Sequence, residues 1–424
     1  MEIEVKLREK AVLDAFFDEG SFVETDAHLS DAEVVAGYGA VDGVTVFAFA
    51  QNVEERGGAM SKAHFKKISK IYKLALKTGA PVVGFYDSTG ARLEQKYEML
   101  SAYGDILKKS STLSGVVPQI SVILGNCLGT TALVAASADF VIMSETARLS
   151  VDTLGENASA QDNQKAGIAS FVCRNDEESV KKARELLSYL PANNLEPAPA
   201  YEPAAPFQNP DKLPKYICDE DSLLCVGDGF GENVCTAFGR AAGMPVALVR
   251  TKGGVLCAAE CEKIARFVRF ADAFSIPVVT LVDAEKFGST KSASKVVCAY
   301  AEATTAKIAI VEGEATGAVY IALAGESAGA DAVFALPEAV ISPVAPLAAA
   351  YILDETIGDL PFEEQEKSAR QFIKANLTAE KAAEDGYIDA VVDKTELRSH
   401  IVAALEMLSS KRTSSLPKKH TTIL

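Results

Sequence analysis

Residues 117–133, VPQISVILGNCLGTTAL, constrain the fold more than any other stretch, because residues 307–323, KIAIVEGEATGAVYIAL, repeat their pattern. In the first copy an apolar run, 120–124, predicts a short buried strand. A glycine-bearing turn, 125–129, follows it, and a helix is expected next. Gly125 and Gly129 keep the four-residue spacing of Gly313 and Gly317. Such a turn aims backbone N–H groups outward at a helix N-terminus, where they suit a developing negative charge. Glycines there can equally serve only close strand–helix packing. The second copy tips the reading toward function. The expectation is two facing anion-stabilising turns, one per half. The paired donors of Gly129/Thr130 and of Gly317/Ala318 would flank one cleft.

More of the first half recurs in the second. Gly39 and Gly43 return as Gly239 and Gly243, and Gly57-Gly58 as Gly253-Gly254. Lys67-Ile68 returns as Lys263-Ile264, and Asp87 as Asp283. The pairs keep one order, and each change of offset falls in an expected loop. A duplicated domain follows. Between the copies, residues 191–214 hold seven of the 16 prolines and no periodicity, which predicts an interdomain linker. The expected division is therefore 1–200, a linker at 201–214, and 215–424.

Composition narrows the function classes. A chain of 424 residues that is 48% hydrophobic can bury two full cores. A net charge of −16 argues against nucleic-acid and anionic-membrane surfaces. The start, MEIEVKLREK, has no signal-peptide core, and the apolar run 332–353 carries Glu338 and three prolines, so it reads as buried interior rather than a membrane span. Eight cysteines without any C-x-x-C suggest reduced thiols, a cytoplasmic setting and no metal. The four histidines, His28, His64, His400 and His420, form no recognisable triad or ligand spacing.

Each half alternates strands and helices. A helix is expected over 61–78, with Ser61 as N-cap and Gly79 just past its end. Its outer face carries Lys62, Lys66, Lys70, Lys73 and Lys77. These read either as a solvated face or as a few cations near a large anionic cofactor. The strand at 81–86 runs into DSTGAR (87–92), a polar turn of the kind that carries sites, or simply a helix cap with an exposed arginine. Later helices are expected over 8–17, 177–190, 362–375, 378–384 and 395–409, with strands at 136–143 and 387–392.

The motifs FFDEGSFVETD (16–26), GGAMSKAH (57–64), GAPVVG (79–84), DSTGAR (87–92), SGVVPQIS (114–121) and LPANNLEPAP (190–199) then resemble one family. In the second half the resemblance continues through KIARFVRFADAFSIPVVTLVD (263–283), AYAEAT (299–304), DGYIDAVVD (385–393) and KKH (418–420). The chain is similar to the carboxyltransferase (beta) subunit of biotin-dependent acyl-CoA carboxylases, the propionyl-CoA carboxylase beta type. The resemblance implies an α/β fold of two crotonase-like (ClpP/crotonase) ββα superhelical domains. It implies transfer of a carboxyl group between carboxybiotin on a partner carrier and a short coenzyme A thioester. The acyl-CoA side would fall to Gly57, Gly58, Thr89, Gly90, Ala91 and Arg92, and the biotin side, from a partner subunit, to Phe287, Gly288 and Val319. Gly129-Thr130 would hold the thioester oxygen as its enolate forms, and Gly317-Ala318 the ureido oxygen of biotin. The partners implied are a biotin carboxyl carrier protein, a biotin carboxylase subunit, and further copies in a hexamer of two stacked trimers. No Ala-Met-Lys-Met target for biotin occurs in the sequence. The chain departs from the family at three glycine pairs, where it has Thr89-Gly90, Gly129-Thr130 and Gly317-Ala318. It also has a shorter loop after Asp283. A decarboxylase running the same exchange, a biotin-independent crotonase-fold enzyme and a decayed assembly subunit stay open as alternatives.

Overall fold

A computed structural model describes residues 9–54, 56–152 and 157–413, so KKH at 418–420 lies outside the described residues. The chain forms two compact units, Met1–Pro199 with Gly227–Phe230, and Ala200–Val226 with Gly231–Leu424. The proline-rich stretch after Pro199 runs with the second unit: the Tyr201 N–H donates to Gly243 O at 3.0 Å.

The first unit opens with α1 (Glu9–Phe16), a short β1 (Val23–Glu24) and the hairpin β2 (Val34–Val41) and β3 (Val44–Gln51). Next come α2 (Lys62–Thr78), β4 (Val82–Ser88), α3 (Glu98–Leu113), β5 (Gln119–Leu128) and α4 (Thr130–Ala136). It closes with β6 (Phe140–Ser144), β7 (Arg148–Ser150), α5 (Ala160–Lys165), β8 (Phe171–Cys173) and α6 (Asp176–Leu187). The strand expected at 136–143 starts only at Phe140, because Ala136 still belongs to α4. The sheet runs β1-β2-β3-β4-β5-β6-β8, with β7 also on β5. The β2–β3 hairpin is antiparallel, and from β3 onward neighbours are parallel.

Helix α2 shows why these residues take this form. Ser61 caps it by accepting the His64 N–H, and Gly79 ends it in the left-handed region, donating to Ala75 O. Phe65, Ile68, Ile71, Tyr72 and Ala75 are buried on one face. Each large side chain contributes about 1.5–3 kcal/mol by leaving water. Lys67, on the same helix, is also buried; it donates to Val34 O and pairs with Glu24.

The second unit contains α7 (Leu213–Ile217), β9 (Leu224–Val226), the hairpin β10 (Val234–Ala241) and β11 (Met244–Thr251), β12 (Val255–Leu256) and α8 (Ala258–Ala273). It continues with β13 (Val278–Ala284), β14 (Lys286–Phe287), α9 (Thr290–Glu302), β15 (Lys307–Thr316), α10 (Ala318–Leu323), β16 (Ala332–Ala335) and β17 (Val340–Ser342). Last come α11 (Pro346–Leu353), α12 (Phe362–Asn376), α13 (Ala379–Glu384), β18 (Ala390–Val391) and α14 (Lys394–Leu408). The strand expected over 387–392 shrinks to β18. Its sheet, β18-β16-β15-β13-β11-β10-β9 with β17 on β15, repeats the first in topology. Register repeats too: Val34 faces Gln51 and Val234 faces Thr251, while Val41 faces Val44 and Ala241 faces Met244. The apolar run at 332–353 does not stay inside. Ile352 and Leu353, at the end of α11, are exposed in the single chain.

The duplication extends to atoms. Asp18 accepts from the Asp42 and Gly43 N–H groups, and Arg184 ties it to Phe16 O. Asp219 accepts from the Ala242 and Gly243 N–H groups, and Arg398 ties it to Ile217 O. Lys263 donates to Val234 O as Lys67 does to Val34 O. The copies differ at two neighbouring strand positions that bound a cavity. A cavity of about 200 Å³ in the first unit is lined by Val12, Ala50, Phe85 and Leu124, with Gln51, Glu54, Asp87 and Asp176 around it. By strand register Ala50 corresponds to Arg250 and Leu124 to Glu312. Those two residues form a partly buried ion pair at 2.6 Å. Burial raises the Glu312 carboxyl, with Arg250 opposing that shift.

Candidate active site

The turn after β5 is built on a carboxylate. Strand β5 does not stop at Leu124; it continues through Gly125 to Leu128. The bend expected at 125–129 is therefore confined to Gly129. Gly125 has another reason to be glycine: a Cβ there would stand 2.3 Å from the Asp87 carboxylate. Asp87 enters that gap and accepts the Asn126 N–H at 3.0 Å. Its own N–H donates to Gln51 Oε1. The second unit repeats each part. A Cβ at Gly313 would stand 2.4 Å from Asp283, which accepts the Glu314 N–H at 2.9 Å, while its own N–H donates to Thr251 Oγ1. The ladder between β4 and β5 shifts at Tyr86/Ser88, and that between β13 and β15 at Val282/Ala284.

Each bend is then closed by a glycine at positive φ. Gly129 has φ 66° and Gly317 has φ 49°, a region that excludes most side chains. The glycine donors are committed, which corrects the expected pairing. The Gly129 N–H donates to Ser150 O at 2.9 Å, and the Gly317 N–H donates to Ser342 O at 2.8 Å. The next N–H groups are those of Thr130 and Ala318, the first residues of α4 and α10. Neither has an acceptor among the described residues, and both residues are exposed. The exposed donors are thus those of Thr130 and Ala318, in place of the expected glycine-led pairs.

The loops expected on the acyl-CoA side converge near the first bend. Gly57 and Gly58 both have positive φ, and a Cβ at Gly58 would meet Asp87 O at 2.2 Å. The Thr89 N–H donates to Gly57 O, and the Met60 N–H to Gly90 O. Thr89 is exposed and Ala91 half-buried. Gly90, at φ 114°, lies beside Leu128 O, since its Cβ would stand 3.7 Å away. Arg92 does not fit its expected role. It is 5% exposed and pairs with Asp31 and with Glu33. The guanidinium hydrogen bond holds the Asp31 carboxyl below the usual range. Arg92 thus ties the loop at 31–33 to the turn at 88–92 and is neither exposed nor open to a phosphate.

The residues expected on the biotin side are placed less uniformly. Phe287 is half-buried in β14, which pairs with β12, and exposed Gly288 donates its N–H to Leu256 O. The Val319 side chain is fully buried, so it offers a ligand nothing but backbone.

Sequence reasoning missed three features here. His64 is fully buried, with Nε2 3.3 Å from Gln51 Nε2, and burial pushes its pKa down to about 3. Tyr103 lies 2.7 Å from the Thr131 hydroxyl, under the start of α4. Met60 contacts both. Each stands on a core face, where periodicity reports only burial. Of the lysines on α2, Lys62 and Lys70 pair with Glu98 and Asp26, while Lys66, Lys73 and Lys77 lie exposed.

Comparison with known proteins bears on both units. Residues 9–423 match the Carboxyl transferase domain family. The methylmalonyl-CoA decarboxylase subunit alpha of Veillonella parvula is 32% identical over 475 residues, covering 98% of this chain and 92% of that protein. The propionyl-CoA carboxylase beta chain of Saccharopolyspora erythraea is 32% identical, covering 96% and 88%. Among solved structures, transcarboxylase 12S, a hexamer crystallised with hydrolysed methylmalonyl-coenzyme A, superposes with a TM-score of 0.91 at 31% identity, covering 98% of this chain and 92% of that one.

Proposed function

Because the chain belongs to the carboxyl transferase domain family, with its crotonase-like fold, we propose that this biotin-dependent acyl-CoA carboxyltransferase works through one main-chain oxyanion donor in each unit. The observation that carries the reading is the copied bend, in which the glycine N–H is spent on a β-strand and the next N–H is left exposed. The Thr130 N–H receives the thioester oxygen as negative charge develops on it, and the Ala318 N–H receives the ureido oxygen of biotin. A preorganised donor of this type contributes about 3–4 kcal/mol to the transition state. Asp87 and Asp283 fix the strands that precede the two donors. The 57–60 and 88–92 loops hold the acyl-CoA beside Thr130, and Phe287 and Gly288 bound the biotin side. Biotin, arriving on a partner carrier protein loaded by a biotin carboxylase, supplies the carboxyl group and the nitrogen that exchanges the proton.

Methylmalonyl-CoA and propionyl-CoA are the substrates that the relatives' names favour. The same enolate serves carboxylation and decarboxylation, and the Veillonella relative favours testing the second direction as well. A hexamer is the proposed assembly, by likeness to transcarboxylase 12S.

The test is carboxyl exchange between methylmalonyl-CoA and free biotin, with Thr130→Pro and Ala318→Pro as variants. Proline is well tolerated at the first helical position but has no N–H. Each variant should keep its circular dichroism and lose about 10²–10³ in kcat. Full activity in either variant would remove that donor from the mechanism. Sedimentation of the wild type should give six copies; a monomer would refute the proposed assembly.

A further inference from the structure

Three side chains meet beneath the start of α4. The Tyr103 hydroxyl is 2.7 Å from Thr131 Oγ1, Thr131 Oγ1 is 3.3 Å from Met60 Sδ, and the Tyr103 hydroxyl is 3.6 Å from the same sulfur. Met60 is 1% exposed, Tyr103 4% and Thr131 fully buried. Burial pushes the phenol up to about 12, so it keeps its proton through the neutral range. A thioether can only accept, and weakly. One hydroxyl proton therefore lies between Tyr103 and Thr131, and the other is left for Met60.

Two of the three also adjoin the proposed acyl site. Thr131 directly follows Thr130, the residue with the exposed N–H. The Met60 N–H donates to Gly90 O at 2.7 Å, and Met60 O accepts the Arg92 N–H at 3.1 Å. One residue therefore joins the 57–60 loop, the 88–92 turn and the first turn of α4. The second unit makes the same bend without this chain. At the position of Met60 it has Leu256, and at that of Thr131 it has Val319, both buried and neither able to hydrogen-bond through its side chain. The fold does not need the polar contact to form the turn.

We infer that Tyr103, Thr131 and Met60 form a latch peculiar to the first unit, with Tyr103 as a positioning residue that keeps the Thr130 N–H aimed at the thioester oxygen. Tyr103 acts through Thr131. The inference rests on the carboxyltransferase role proposed for that turn.

The experiment compares the full-length wild type with Tyr103→Phe, Thr131→Val, their double variant, and Thr131→Ser. Carboxyl exchange between methylmalonyl-CoA and free biotin gives the kinetics. Hydrogen–deuterium exchange over residues 129–136 reports the turn itself. Tyr103→Phe and Thr131→Val should each lower kcat roughly ten- to hundredfold, with KM for methylmalonyl-CoA held within about twofold. The double variant should be no worse than either single one, because the latch acts as a unit. Thr131→Ser should retain kcat. Amide exchange should quicken in both single variants and in the double. An unchanged kcat in Tyr103→Phe overturns the latch, whether or not the amides quicken. A wild type inactive on every short acyl-CoA would defeat the role proposed for the turn, and amide exchange would still decide whether the three side chains hold it.

Discussion

Asp87 and Asp283 each stand in a gap that a neighbouring glycine leaves open, and each there accepts an N–H from the adjoining strand. A methyl group at position 125 has nowhere to go but into the carboxylate. Gly125→Ala should cost about 1–3 kcal/mol in urea unfolding and lower carboxyl exchange as Asn126 loses its partner. His64 makes a second prediction. Its folded pKa, about 3, lies below the ordinary value of 6.5. The unfolded chain therefore takes up a proton on this ring that the folded one refuses, and stability falls as pH drops from about 6.5 toward about 3. His64→Gln should flatten the urea midpoint over that window; an equally steep dependence would show that other groups carry it. At this scale the sequence was only partly legible. Gly125 looked like a bend because a glycine inside a strand pattern has two physical causes, and the carboxylate that decides between them lies 38 residues away. Arg92 looked like a ligand for the same reason. Its partners, Asp31 and Glu33, sit in a loop that periodicity does not place.

Larger pieces were easier to read. The ends of α2 follow from Ser61 and Gly79, because caps are local. The strands expected at 136–143 and 387–392 are present but shorter, as β6 and β18. The ties between elements are long-range and were not foreseen. Arg184 and Arg398 each bind a helix end and the aspartate that caps a hairpin turn. Their surroundings differ: the Asp18 side chain is 33% exposed and that of Asp219 is 3% exposed. Removing the arginine strands the more buried charge. Arg398→Ala should cost roughly 3 kcal/mol, against about 1 kcal/mol for Arg184→Ala. Chemical denaturation of the two variants measures the difference, and equal losses would mean that burial is not what sets the cost.

At the scale of the whole chain, the repeat was visible in glycine and aspartate spacing, and the structure extends it to sheet order, register and paired arginine clamps. Function separates what the fold keeps alike. The two bends share their geometry, yet one is underlain by tyrosine, threonine and methionine and the other by leucine and valine. The same divergence appears at the strand positions occupied by Ala50 and Leu124 in one unit and by Arg250 and Glu312 in the other. The hollow of about 200 Å³ in the first unit therefore comes with a plug already drafted by its own sibling. Grafting that pair, Ala50→Arg with Leu124→Glu, should fill the void and raise the melting temperature, by analogy with cavity-filling gains of about 0.5–2 kcal/mol. Graft and catalysis would then part company: a stiffer protein with undiminished carboxyl exchange would mark the hollow as inherited slack, and a stiffer protein that turns over slowly would mark it as room the first unit needs to work.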